Sequence, residues 1–142
     1  ITAYTAGEHT NSNIVNYLRG DRTKEESATG GIYRTRKSLL GDIVNSDPHF
    51  VAAENYGYDE PGSGVGATEQ ALYTTFRTDK TAGVVSKVNR PKMIYVGAND
   101  GMLHAFNAAD GIEMFAYIPN AVIPNLNLLT SPSYQHRYYV DG

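Results

Sequence analysis

The sequence predicts a mainly β fold that forms part of a larger protein. Its 142 residues include 11 Tyr and 14 Gly but no Cys or Trp, a composition typical of strands joined by tight turns. Three short β-type runs, at residues 93–98, 102–106 and 112–118, are separated by two Asp-Gly pairs, which are strong signals for hairpins. The chain starts at Ile1 without a leader and stops where a strand runs into a turn, so we expect an excised piece of a longer chain.

Charge and composition exclude several classes of protein. Twelve basic and fifteen acidic residues give a net charge of −3, which argues against a nucleic-acid partner because such surfaces carry clustered Lys and Arg. The lack of Cys removes disulfides, Cys-ligated zinc and thiol catalysis. No apolar run reaches the roughly 18 residues that a membrane-spanning helix requires. The sequence therefore predicts neither a nucleic-acid surface nor a membrane span.

Residues 10–19 predict a short helix, because Ile14 and Leu18 lie one turn apart and Gly20 is placed to end it. A polar stretch with a double glycine follows and predicts a loop. We therefore expect residues 1–36 to form an N-terminal helix and linker.

Residues 37–119 predict one four-stranded unit that carries an insertion. Pro48 cannot donate a hydrogen bond to a β-ladder, so the chain on either side of it is expected to be extended and to supply the inner strand. Residues 54–90 predict the insertion, a Gly-rich surface loop followed by a second short helix. Residues 120–142 are expected to form a connection and the first strand of a following unit.

The hairpin pattern over residues 93–118 indicates a sheet that is covered on both faces. We expect Asp100 and Gly101 to occupy the two central turn positions, where positive φ is required. The residues that then face each other are Asn99 and Met102, Gly97 and His104, and Tyr95 and Phe106. One face is then small and aliphatic, the other is aromatic with one His, and a slip of one residue would mix them. Neither face carries the charges of a wetted surface, so protein is expected to pack on each.

These features predict one blade of a β-propeller, a four-stranded antiparallel sheet sandwiched between neighbouring blades. A two-layer β-sandwich would leave its outer face in water and fits the pattern less well. One blade cannot close a ring, and its open strand edges invite pairing. We therefore expect the excised fragment to self-associate or to be stabilised by its inserted helices.

Residues 96–111 resemble the blade motif of quinoprotein-like propellers, in which an Asp-Gly hairpin leads into an Ala-Phe strand. Four further segments occur in the order found in the C-terminal propeller of the PilY/PilC family of type IV pilus tip-associated adhesins and biogenesis factors. These segments are residues 16–21, 39–46, 89–93 and 136–142. The resemblance covers most of the chain and is weakest over residues 54–68.

The resemblance implies a non-enzymatic protein at the outer surface or pilus tip of a Gram-negative bacterium. It implies support of pilus assembly and adhesion, with pilins or minor pilins and a host cell or abiotic surface as partners. Two alternatives are a blade of a pyrroloquinoline-quinone dehydrogenase and a structural repeat of a secreted scaffold. Phe115 stands where quinoprotein blades usually have Trp, which weakens the dehydrogenase interpretation.

No catalytic residue, metal ligand or cofactor is predicted in this part of the protein. The resemblance implies a calcium site in an Asp-rich loop of the family, but no Asp-x-[Asp/Asn]-x-[Asp/Asn]-Gly pattern occurs here. Any calcium would therefore lie elsewhere in the full-length protein.

The candidate binding residues are an Arg-Gly-Asp tripeptide and two tyrosines. Arg19, Gly20 and Asp21 match an integrin ligand, although Gly20 alone is also the commonest kind of helix stop. Tyr56 and Tyr58 are candidates for adhesion because Tyr is enriched at interfaces, and they are equally compatible with a structural role.

Four residues of the hairpins are interpreted as turn formers. Asp100, Gly101, Asp110 and Gly111 have the spacing of successive turns, and this interpretation is preferred to a pair of catalytic carboxylates or a cation site. His104 is interpreted as a core or interface residue, because the other histidines lie in unrelated segments.

Overall fold

A computed structural model describes residues 11–141, which fall into two compact units. The first unit holds the chain up to Ser46, Gly97–Leu103 and the chain from Tyr117, and the second holds Asp47–Val96 and His104–Ala116. Residue 10, where the first helix was expected to begin, lies outside the described residues, as do Ile1 and Gly142. None of the described helices is long and apolar enough to cross a membrane.

The described elements are short helices and short strands. In chain order they are α1 (Asn11–Leu18), β1 (His49–Val51), α2 (Ala67–Thr78), β2 (Met93–Gly97), β3 (Leu103–Asn107), β4 (Glu113–Tyr117) and a 3₁₀ helix (Asn120–Thr130). The four strands form one sheet in the order β1-β2-β3-β4, and β1 pairs antiparallel with β2. The predicted mainly β fold with one four-stranded antiparallel sheet and a few short helices is confirmed.

The inner strand is much shorter than the sequence suggested. Only His49–Val51 pairs with β2, with His49 opposite Tyr95 and Val51 opposite Met93. Residues 37–47 form no strand. Pro48 stands directly before β1 and has no N–H for a ladder, so the strand begins only after it.

The first hairpin turn has three residues, and the predicted two-residue turn is wrong. The Ala98 N–H donates to the Met102 carbonyl (3.0 Å), and the Gly101 N–H donates to the Ala98 carbonyl (3.3 Å). Ala98, not Asn99, therefore lies opposite Met102. A two-residue turn of the expected type needs positive φ at both central residues. Among residues 11–141 only glycines adopt positive φ, so Gly101 (φ 89°) does and Asp100 does not.

The longer turn shifts the pairing of β2 with β3 by one residue. At the far end of the hairpin the Ala108 N–H donates to the Lys92 carbonyl (2.9 Å), in the same register as the pair at the turn. In this register His104 lies opposite Val96 and not Gly97. The predicted separation into one aliphatic and one aromatic face is therefore wrong, because a slip of one residue turns the side chains of β3 to the opposite face relative to β2 and mixes the two sets.

The sheet is covered over its central strands and open at β4. Met93, Val96, His104 and Ala105 are buried. Every residue of β4 is exposed, including Phe115 with 50% of its surface accessible. Within the described part of the chain, β2 and β3 are therefore largely covered and β4 is not; packing of further protein on both faces of residues 93–118 stays a prediction.

Candidate functional site

The Arg-Gly-Asp tripeptide forms the end of α1. Gly20 has φ 104°, and its N–H donates to the Tyr17 carbonyl (2.9 Å) while the Asp21 N–H donates to the Asn16 carbonyl (2.9 Å). This pair of bonds closes a helix around a left-handed glycine. Arg19 is exposed beside it.

The Asp21 side chain is engaged in a local turn. Its carboxylate accepts a hydrogen bond from the Thr23 N–H (2.7 Å), and this bond holds the pKa of Asp21 below its ordinary value. The backbone carbonyl of Asp21 accepts a second bond, from Arg36 Nη2 (2.7 Å). The carboxylate stays exposed, and a role of the tripeptide in binding remains a prediction.

A buried ion pair lies next to this helix end. Glu25 is fully buried, and its Oε1 accepts from Arg36 Nε at 2.7 Å. The Arg36 guanidinium also donates to the Tyr17 carbonyl and lies 3.7 Å from the centre of the Tyr17 ring. Sequence reasoning missed this pair because Glu25 lies in a polar stretch that has no periodicity and was expected to be a solvated loop.

Tyr17 and Arg34 join the N-terminal segment to the 3₁₀ helix. The Tyr17 hydroxyl and Arg34 Nε both donate to the Leu129 carbonyl, at 3.3 and 3.1 Å. The Arg34 N–H donates to the neighbouring Thr130 carbonyl (2.8 Å). Burial raises the pKa of the Tyr17 hydroxyl, so it remains a neutral donor. These contacts are structural.

A second concentration of polar contacts in the first unit surrounds Asp141. Its carboxylate accepts hydrogen bonds from three successive backbone N–H groups, those of Val44, Asn45 and Ser46, at 2.7–3.1 Å. Asn99 Nδ2 adds a further donor at 3.0 Å. Burial of the Asp141 carboxyl opposes its ionisation, but the backbone donors outweigh burial and lower the pKa to about 2.

Asn99 connects Asp141 to a second carboxylate. Its Nδ2 also donates to Asp42 Oδ2 (3.1 Å), and its Oδ1 accepts the Tyr139 N–H (3.1 Å). His136 Nε2 lies 2.7 Å from the same Asp42 oxygen. The pKa of the Asp42 carboxyl is lowered overall. Burial acts to raise this pKa, but the hydrogen bonds from His136 and Asn99 to the carboxylate outweigh burial. We call Asp42, Asn99, His136 and Asp141 the Asn99–Asp141 cluster.

Two glycines let the backbone segments of this region approach closely. A Cβ at Gly97 would collide with the Val140 carbonyl oxygen, and a Cβ at Gly41 would collide with the Asp100 backbone N. The Gly41 N–H donates to Asp100 Oδ2 (2.8 Å). Segments 39–46, 96–101 and 136–141, all noted for their family resemblance, therefore meet here. That resemblance was the only sequence signal for the cluster, whose donors and acceptors lie far apart along the chain.

The predicted turn residues occupy turns. Asp100 Oδ1 accepts the Met102 N–H (3.2 Å) in the first turn. In the second, Asp110 Oδ1 accepts the Ile112 N–H (3.0 Å) and Gly111 has φ 75°.

His104 is buried in the sheet of the second unit. Its Nδ1 lies 2.5 Å from Glu113 Oε1, and its ring stacks on Phe106. Within residues 11–141, no group of three or more His, Asp or Glu side chains is arranged to hold a metal ion.

Tyr56 and Tyr58 belong to an aromatic cluster in the second unit. Lys87 Nζ lies 3.9 Å from the centre of the Tyr56 ring and donates to the Glu54 carbonyl (2.8 Å). Tyr58 packs edge to face on Tyr73 of α2 at 5.4 Å. Both candidate tyrosines keep more than half of their surface exposed. They belong to the second unit, and the Arg-Gly-Asp tripeptide belongs to the first.

Comparison with known proteins gives one family. A family model described as the PilY1 beta-propeller domain matches residues 40–142. A protein of Xylella fastidiosa (strain Temecula1 / ATCC 700964) named type IV pilus biogenesis factor PilY1 homolog is 43% identical over 128 residues, which covers 90% of this chain and 10% of the relative. Type IV pilus biogenesis factor PilY1 of Pseudomonas aeruginosa (strain PAK) is 44% identical over 133 residues, with the same coverage of each chain.

The chain spans about a tenth of the length of these curated relatives. A second Xylella fastidiosa relative of the same name is 42% identical over 138 residues, covering 94% of this chain and 9% of the relative. No solved structure matches the chain.

Proposed function

The chain belongs to the PilY1 β-propeller domain family, and on that premise we propose that it is part of a type IV pilus biogenesis factor. In this role the parent protein supports pilus assembly and surface attachment through binding rather than catalysis. The observation that carries the proposal is the 43% identity to a relative of that name over nine-tenths of the chain.

The chemistry of the Asn99–Asp141 cluster fits a structural role and not general acid–base catalysis by Asp141. A general acid or base needs a pKa near the pH at which it operates, whereas that of Asp141 is about 2. Its carboxylate is used by backbone and amide donors instead. The cluster therefore acts as a structural clamp between segments of the first unit.

The partners in this proposal are pilins or minor pilins, and a host cell or abiotic surface. The parent protein acts at the outer surface of a Gram-negative bacterium, at the pilus tip. Exposed aromatic rings favour such contacts, since Tyr offers a large area and a polar group at low entropic cost. Tyr56 and Tyr58 are the exposed rings of the second unit's aromatic cluster.

Deletion of the parent gene tests the role in assembly. We expect a strong loss of surface pili, restored by the intact gene in trans, with piliation measured by shearing and electron microscopy. Normal piliation in the deletion strain would contradict the proposal and favour a secreted scaffold. Dye-linked dehydrogenase activity of the full-length protein with quinone and calcium would favour an enzyme.

Paired substitutions test the role in attachment. Replacing Tyr56→Ala and Tyr58→Ala in the complementing gene is expected to lower attachment several-fold while leaving pilus number unchanged. Leu72→Ala is the matched control, because Leu72 is also largely exposed but on α2. Equal attachment by the double variant and the control would show that these tyrosines are not part of the contact surface.

A further inference from the structure

A short segment of the first unit, residues 37–40, makes no hydrogen bond to any described residue. No backbone N–H or carbonyl of this segment, and no polar atom of Lys37 or Ser38, has a hydrogen-bond or ion-pair partner within residues 11–141. The neighbours on both sides are bonded, through the Arg36 carbonyl to Arg22 and through the Gly41 N–H to Asp100. Four consecutive residues thus have backbone donors and acceptors with no partner among residues 11–141, between two anchored points.

The same segment lines a cavity of about 460 Å³. This volume lies within the range of about 300–1,000 Å³ that is usual for binding pockets. The apolar residues of the lining are Leu18, Leu39, Leu40, Met102 and Leu129. Leu39 and Leu40 expose 49% and 37% of their surface although they lie at this concave site.

The lining combines the features that recognise a peptide. Free backbone groups pair with another main chain, and the apolar wall accepts an aliphatic side chain. Lys37 supplies a cation with no acidic partner in the described part of the chain, so a carboxylate on the occupant would complement it. Arg36 lines the same cavity but is committed to Glu25.

We propose that this cavity holds a peptide segment of the same polypeptide, from the part that lies outside these 142 residues, with an aliphatic side chain in the cavity and a carboxylate at Lys37. The relatives are about ten times longer than this chain, so most of the parent polypeptide is available as an occupant. A tethered segment binds at an effective concentration that reaches the millimolar range. The binding surface is small, with four backbone residues and one side-chain pocket. A tethered segment therefore occupies it, whereas a separate protein would bind the same surface weakly.

Photo-crosslinking in the full-length protein tests the occupant. With Ser38→p-benzoylphenylalanine, we expect a crosslink within one polypeptide that maps to a peptide outside residues 1–142. The same probe at Thr29, which is exposed in the loop after α1, is the control and should give no such product. Crosslinking of position 38 to another protein, or no crosslink above the control, would overturn the proposal.

Hydrogen exchange provides a second readout that needs no substitution in the cavity. Backbone amides of residues 38–40 in the full-length protein should exchange at least about tenfold more slowly than the amide of Thr29, which has no partner in the described part of the chain. Lys37→Glu should remove this protection, whereas Lys37→Arg should retain it because the charge is kept. Exchange of residues 38–40 as fast as that of Thr29, or equal protection in the Glu and Arg variants, would contradict the proposal.

Discussion

At the scale of single residues, Asn99 connects more segments of the first unit by hydrogen bonds than any sequence motif indicated. Its side chain donates to Asp42 and Asp141 and accepts the Tyr139 N–H. We predict that Asn99→Ala destabilises the protein by roughly 1–3 kcal/mol, because the Tyr139 N–H loses its acceptor and the Asp42 and Asp141 carboxylates each lose a donor. Denaturant unfolding of the variant measures this. Asn127→Ala, at an exposed position of the 3₁₀ helix, is the control and should change stability little.

Asp141 makes the stability of the fold depend on acid. Its folded-state pKa of about 2 lies below the ordinary value of 3.8, so the ionised carboxylate stabilises the fold fully above the ordinary value. This contribution is lost as the pH falls from that value through about 2. Unfolding free energies measured at successive pH values should therefore fall more steeply in this range for the native chain than for Asp141→Asn. Asp110→Asn, in an exposed turn, should leave the slope unchanged; identical slopes for all three proteins would refute the assignment.

At the scale of elements, the hairpin between β2 and β3 shows how far the sequence could predict the fold. The Asp100-Gly101 pair located the turn correctly. It did not distinguish a two-residue from a three-residue turn, since both place Gly at the position of positive φ. The difference arises from Asp100, whose carboxylate bonds to Gly41 and Met102 and holds a conformation without positive φ. Such a contact with residue 41 cannot be seen in a local pattern.

The two turn glycines offer a matched test of the packing around this hairpin. Gly101 and Gly111 both have positive φ, so Ala strains the backbone at each by about 1–2 kcal/mol. A Cβ at Gly101 would also lie 2.5 Å from Leu126 Cδ2, whereas a Cβ at Gly111 meets nothing within 4 Å. We predict that Gly101→Ala destabilises the protein clearly more than Gly111→Ala, as measured by thermal unfolding. Equal losses would show that Leu126 moves away without cost.

At the scale of the whole molecule, the sequence pattern predicted a four-stranded antiparallel sheet, but it did not predict the length of β1 or the contacts between distant segments. The helices α1 and α2, the positions of the two hairpin turns and the burial of β2 and β3 follow from local signals, whereas the 3₁₀ helix over Asn120–Thr130 was not predicted. The Glu25–Arg36 pair and the Asn99–Asp141 cluster do not, because their partners are brought together only by the tertiary fold. The first unit is built from three separate stretches of chain, an arrangement that periodicity cannot reveal.

The open strand β4 predicts how the isolated 142-residue chain behaves. Its residues are exposed and largely apolar, and an uncovered edge of this kind pairs with other strands. We expect concentration-dependent association in sedimentation experiments, reduced by Phe115→Lys because a charge disfavours edge pairing. Leu72→Lys, at a largely exposed position of α2, should leave association intact. A monomeric native chain at high concentration would contradict this expectation.

The hydrogen bonds between Asp141 and residues 44–46 span 95 to 97 positions of the chain. During synthesis the early segment emerges long before its carboxylate partner, and closing so wide a loop is slow compared with forming a local turn. The contacts around Asp141 therefore form only after the C-terminal stretch of the first unit has been synthesised. Until Asp141 has been synthesised, the amides of residues 44–46 lack the carboxylate that binds them in the folded protein, and chaperones or incorrect acceptors can bind them instead. A ribosome that stalls before Asp141 prolongs this exposed state.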